Sequence, residues 1–171
     1  MPTTPLDYQT YLIHRQWMNK ALELAETAGS IGEIPVGAII VDRTGNVLAA
    51  TNNRKQRDGD PTAHAEILAI RAASRVKAHS YLNDCTLYVT LEPCPMCAGA
   101  IVQARLALLV YGADDPKTGA IRTVIDLPNA FCSNHHPNIL AGIQEARCRQ
   151  QLQSWFVRHR GKERHFNRFW D

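Results

Sequence analysis

Two short stretches of this chain carry residue types able to do chemistry: His64-Ala65-Glu66 and Pro93-Cys94-Pro95-Met96-Cys97. Cys94 and Cys97 are three positions apart, which sets both sulfurs on one face of a helical turn. A helix start carries partial positive charge and unbonded amides, so it favours thiolates. Two thiolates and a neutral His64 imidazole form a reasonable zinc set. Three protein ligands rather than four leave a position for water, the mark of a catalytic site. Water at such an ion ionises near neutral pH. Glu66 reads as standing beside the metal rather than on it. A carboxylate there takes a proton from the attacking water and returns it to a ring nitrogen, then to a leaving amine. Taken alone, Cys-x-x-Cys equally suits a redox pair or half a zinc ribbon, and a lone histidine is more often structural.

The elements that must position these residues follow from periodicity. Leu6 to about Ala28 reads as a helix, with Met18, Leu22 and Ala25 on one stripe, ended by Gly29 and Gly32. Val36–Val41 is a β-branched apolar run, hence a buried strand. Thr44-Gly45-Asn46 turns it into a second strand, Val47–Ala50. Asn52–Asp60 reads as a polar loop. Pro61-Thr62 then opens a helix to about Val76, with Thr62 as its expected N-cap and Glu66 near the first turn. Thr86–Thr90 is a strand, and a helix runs from the second motif to about Arg105, with Pro95 suited to its first turn. Leu106–Tyr111 is a further strand. After Gly112 the chain reads as mixed loop, with a turn over Asp115-Pro116-Lys117-Thr118-Gly119, until a last helix from Ile143 to about His159. This order predicts an α/β domain of three layers, α/β/α, around a mixed sheet. In such a sheet, strand ends and helix starts share one crevice, so two motifs about 30 positions apart can meet.

A chain of 171 residues, 45% hydrophobic and 20% charged, suits one domain with a substantial core. The longest apolar runs are strand-sized, so no membrane span is expected, and Met1–Pro5 lacks the regions of a signal peptide, which makes cytoplasm the expected compartment. Five cysteines, two of them closely spaced, favour metal or redox chemistry over disulfides there. Cys85 reads as buried packing, and Cys132 and Cys148 as free thiols. Charge is uneven: residues 147–171 carry 7 Lys/Arg against 2 Asp/Glu, while residues 1–146 carry 12 against 14. A basic end on a near-neutral body suits an anionic partner such as nucleic acid, and equally a solvated helix face.

Joined, the two motifs match the H-x-E…P-C-x-x-C pattern of zinc deaminases. The chain resembles the bacterial tRNA-specific adenosine deaminases, which convert the wobble adenosine of an anticodon to inosine. The resemblance runs from about Tyr11 to Arg160. It includes Glu33-Ile34-Pro35-Val36-Gly37-Ala38, Asn53-Arg54, Asp60-Pro61-Thr62-Ala63-His64-Ala65-Glu66-Ile67, Thr86–Cys94, Met96-Cys97-Ala98-Gly99-Ala100 and Lys117-Thr118-Gly119-Ala120. It implies a cytidine deaminase-like fold with a five-stranded central sheet, and one Zn2+ per subunit on His64, Cys94 and Cys97. It implies proton transfer by Glu66, and a homodimer acting on a tRNA anticodon stem-loop. Asn53 is expected to hydrogen-bond the flipped-out base and the Ala65 amide to help hold it. Asp115, Lys117 and Thr118 match a loop flanking the anticodon nucleotides, and Phe156 an aromatic that closes the pocket. Residues 1–171 form a single deaminase domain on this reading, with a basic helical extension over about 142–171 whose Arg158–Arg168 stretch reaches phosphates.

Blander readings stand beside these. Asn53 also suits a turn cap, Phe156 and Trp155 plain core, Lys117 a solvated lysine, and His135-His136 surface histidines. The same chemistry also serves a free-base or nucleoside deaminase of the guanine or cytosine type. Without Glu66's proton transfer, it serves a zinc-stabilised RNA-binding module. Asp114-Asp115 departs from the family pattern by one extra acid in the loop, and Asp58-Gly59-Asp60 adds acid near the entrance.

Overall fold

Alternation along the strands divides the core in two. In the computed structural model, which describes residues 6–159, β1 (Gly37–Val41) and β2 (Val47–Asn52) form an antiparallel hairpin. β1 also pairs antiparallel with β3 (Thr86–Leu91), and β3, β4 (Leu108–Ala113) and β5 (Asn138–Ala141) run parallel. The strand order is β2-β1-β3-β4-β5.

Ala38, Ile40, Leu87, Val89, Leu109 and Tyr111 face one side. There they meet α3 (Ala65–Lys77) and α4 (Pro95–Gln103) through Ala65, Ala69, Ala73, Ala98 and Ile101. Their neighbours Ile39, Val41, Tyr88 and Val110 face the other side, against Met18, Ala21 and Leu22 of α1 (Tyr8–Ser30) and Cys148 of α5 (Glu145–His159). The period of two in the strands thus produces the three layers and the mixed five-stranded sheet. Helix α1 lies so close to β1 that a Cβ on Gly37 would sit 2.0 Å from the Ala21 carbonyl oxygen, so only glycine fits there.

Four features differ most from expectation. Thr62 does not cap α3. The Asp60 carboxylate instead takes the Thr62 amide and hydroxyl in a turn, and His64 becomes the cap. The loop before it contains a single helical turn, α2 (Lys55–Asp58), closed by Gly59 in the left-handed region. β4 begins two residues later than Leu106, because Arg105 at φ 52° turns the chain out of α4 first. β5, in the segment read as loop, is a four-residue edge strand, too short for its alternation to be read. Among the described residues, no helix is long and apolar enough to cross a membrane.

Candidate metal centre and its pocket

Helices α3 and α4 both begin at the same end of the sheet. Their N-cap residues are His64 and Cys94, in extended conformation, and neither side chain bonds its own helix amides. Both side chains turn to a common point instead, where Cys97, one turn into α4, meets them. His64 Nδ1 lies 3.6 Å from Cys94 Sγ and 3.5 Å from Cys97 Sγ. The three donor atoms lie within 4.8 Å of one another and are the one His/Cys/Asp/Glu group of this kind among the described residues. A tetrahedral ion with bonds of about 2.3 Å to sulfur and about 2.0 Å to nitrogen requires N···S separations of about 3.5 Å, so the donors are already spaced to receive one.

Protons are shared unevenly within the triad. A hydrogen bond from Cys97, helped by His64, lowers the Cys94 thiol to about 4, and donating that bond while buried raises Cys97. The bond to Cys94 raises His64. Glu66, in the first turn of α3 and 4% exposed, is pushed up to about 7 by burial. A carboxyl balanced near neutrality is suited both to accept a proton and to return it.

The pocket beside these groups holds about 280 Å³ and is lined by His64, Glu66 and Cys94 together with Asn53, Asp115, Lys117, Thr118 and Phe156. The residues expected from sequence therefore converge, with Cys97 and Ala65 fully buried behind the wall. The Ala65 amide is taken: it donates to Asn53 Oδ1 at 3.0 Å. That bond fixes the amide orientation of Asn53, a residue of the pocket wall. Asp115 holds its own loop, accepting from the amides of Lys117 (2.9 Å) and Thr118 (3.1 Å) and from the Thr118 hydroxyl (2.7 Å). Phe156 is buried on α5, edge-on to Trp155, and reaches the pocket from the opposite layer.

The extra acids are absorbed internally. Asp114 accepts a two-nitrogen clamp from Arg122 at 3.0–3.2 Å and the Tyr111 hydroxyl at 3.0 Å, and Asp58 pairs with Arg54. His135 and His136 bond the carbonyls of Leu106 and Pro128 and so anchor a loop.

Two buried carboxylates were missed by sequence reasoning. Glu33 accepts the Arg57 amide at 2.7 Å and holds α2, which brings Lys55 to the pocket wall. Glu92, 1% exposed at the end of β3, collects donors from the loop that follows β4. Burial pushes Glu92 up, but hydrogen bonds from Thr123 and the amides of Arg122 and Asp115 outweigh it and hold the carboxyl below its ordinary value. The signal available was an acid at the end of an otherwise apolar strand, Thr86–Leu91, directly before the second motif.

A family model of MafB19-like deaminases matches residues 13–147. The tRNA-specific adenosine deaminase of Haemophilus influenzae is 44% identical over 148 residues, 86% of this chain and 85% of that protein. A solved structure described as a tRNA:A34 deaminase performing A-to-I editing at the wobble position superposes with a TM-score of 0.78 at 41% identity, over 80% of this chain and 99% of that one. A guanine deaminase from Nitrosomonas europaea superposes with a TM-score of 0.70 at 25% identity, over 84% of each chain. A metal triad carried on two helix starts, a carboxylate beside it and this degree of likeness along most of the chain agree: the protein belongs to the tRNA-specific adenosine deaminases of the MafB19-like deaminase family.

Proposed function

We propose that this chain hydrolyses the exocyclic amine of the wobble adenosine in a tRNA anticodon, giving inosine and ammonia, with Zn2+ on His64, Cys94 and Cys97. The observation that carries the reading is the triad with Glu66 buried beside it, opening into a purine-sized pocket. Two thiolates and one imidazole are a zinc donor set, and an ion held by three protein groups supplies an acidified water as nucleophile at neutral pH. With the ion bound, Glu66 would take one proton from the attacking water and return it to the ring nitrogen next to C6 as the bond from oxygen to C6 forms. It then moves the hydroxyl proton to the amine, which leaves as ammonia while the C6 carbonyl forms.

The other residues bind and orient. Asn53, oriented by the Ala65 amide, presents Nδ2 to an acceptor on the base, so Ala65 serves the base through this contact. Phe156 closes the apolar side. Asp115 shapes the turn that presents Lys117 and Thr118 to the nucleotides flanking the edited one. An anticodon loop offers bases already unpaired, which lowers the cost of extruding one. On this reading the whole chain, 1–171, is one deaminase domain. It works in the cytoplasm as a homodimer, and its basic extension, about 142–171, meets phosphates. Residues 160–171, which hold most of those charges, lie outside the described residues.

The test is to incubate purified protein with total tRNA and locate inosine by sequencing, with guanine, cytosine and adenine offered separately as free bases. Inosine confined to wobble positions is expected. Turnover of guanine with none on tRNA would replace this reading by the free-base one.

A further inference from the structure

The Glu92 carboxylate is saturated. Oε1 accepts the amides of Ile121 (3.1 Å), Arg122 (2.9 Å) and Thr123 (3.0 Å), and Oε2 accepts the Asp115 amide (3.0 Å) and the Thr123 hydroxyl. Five donors meet about four lone-pair sites, and every one of them requires an acceptor. The segment from 115 to 123 is therefore wrapped around this one side chain as an anion nest.

The wrapping is tight. A Cβ on Gly119 would lie 2.3 Å from Glu92 Oε2 and 2.6 Å from the Asp115 carbonyl oxygen, so the loop passes there only as glycine. Backbone bonds close the same loop on both sides, from the Glu92 amide to Ala113 (2.8 Å) and from the Ala120 amide to the Pro93 carbonyl (2.9 Å). Asp115, held by Glu92, uses its own carboxylate to hold Lys117 and Thr118. Two acids in series thus run from the pocket wall to a point two residues before the ligand Cys94.

We infer that Glu92 is a positioning residue for the substrate-flanking loop: it sets the distance between the Asp115–Thr118 wall and the metal ligand Cys94, and so governs how well the RNA around the edited base is held. This rests on the function proposed above. The charge matters as well as the shape. Glu92→Gln turns an –NH2 toward backbone amides whichever way it is placed, so the loop must release at least one of them.

The experiment compares wild type and Glu92→Gln on an anticodon stem-loop in single-turnover deamination, with metal content by elemental analysis and amide hydrogen exchange across 115–123. The expected result is unchanged metal stoichiometry, a half-saturating RNA concentration raised about tenfold or more, a maximal rate within threefold, and faster exchange at Ile121, Arg122 and Thr123. A half-saturating concentration within twofold of wild type overturns the inference. So does a parallel loss of metal and maximal rate, which would make Glu92 a support of the ligand rather than of the loop. Should Glu92→Gln fail to fold, Thr123→Val decides. It removes one donor and leaves the acid, and a rise of about threefold in half-saturating RNA at constant maximal rate is expected, while no change overturns the inference. Wild type inactive on the stem-loop would refute the substrate instead, and the exchange data would still report whether Glu92 holds the loop.

Discussion

Helix α1 and the pair α3 and α4 begin in opposite ways. Asp7 caps α1 in the ordinary manner, accepting the Thr10 amide at 3.0 Å. α3 and α4 have His64 and Cys94 at the same position and no side-chain cap. A good cap stabilises a helix by about 1 kcal/mol. The two site helices forgo it, so that side chains at a positively polarised helix end are free to bind something else. The contrast separates a helix start built for stability from two built for a metal, and substitutions at each start test it.

The largest effect belongs to Glu66. Glu66→Ala is expected to cut deamination by about 10³-fold or more while the protein keeps its metal and melts normally. An active variant would take Glu66 out of the reaction.

Next comes Cys94→Ser, which installs a preferred cap where a ligand stood. Metal content should fall at least tenfold, while the chelator-treated variant melts about 2 °C above chelator-treated wild type. Identical melting of the two metal-free proteins would show that α4 gains nothing from a cap, and the contrast with α1 would lose its meaning.

Asn53→Ala is smaller. It leaves the buried Ala65 amide without its acceptor, at a cost of about 1–3 kcal/mol. It should weaken RNA use through KM with the metal retained. A variant as stable as wild type would mean that water replaces Asn53 at that amide.

Asp7→Ala should do least, lowering Tm by about 2 °C and leaving deamination within twofold. Hydrogen bonds from Thr10 hold Asp7 below the ordinary carboxylate value. Its contribution is therefore present above about 3.8 and lost as pH falls through its lower folded value. Wild type and Asp7→Ala should differ in Tm at pH 6, and the gap should narrow as pH falls below about 3.8; a gap that does not narrow on acidification would contradict a charged cap.

How much of this was legible in sequence depended on the range of each interaction. The layers were readable because Val36–Val41 and Leu106–Tyr111 carry the apolar signal locally, and the triad because spacing within one turn is local too. Asn53 and Phe156 were reached only through resemblance, since the contacts that place them in the pocket join segments far apart in the chain. Glu92 escaped because its five donors come from residues 23 to 31 positions away, so no short stretch displays them. Thr62 was misread as a cap because its hydroxyl is drawn to Asp60, two residues earlier, and α3 begins only after His64.

The metal donors ride on two segments 30 positions apart, with β3 between them and hydrogen-bonded to β1. Before the sheet closes, the second motif offers an ion only two sulfurs, and His64 is elsewhere. The complete donor set therefore exists only in the folded chain, and an ion bound there adds stability by mass action, about 2.7 kcal/mol when it is in hundredfold excess over its Kd. Zinc fingers, by contrast, need their metal in order to fold. On the function proposed above, a metal-starved preparation is expected to melt as a folded protein without turnover and to regain turnover when the ion is returned; a preparation unfolded without metal would place this chain with the zinc fingers instead.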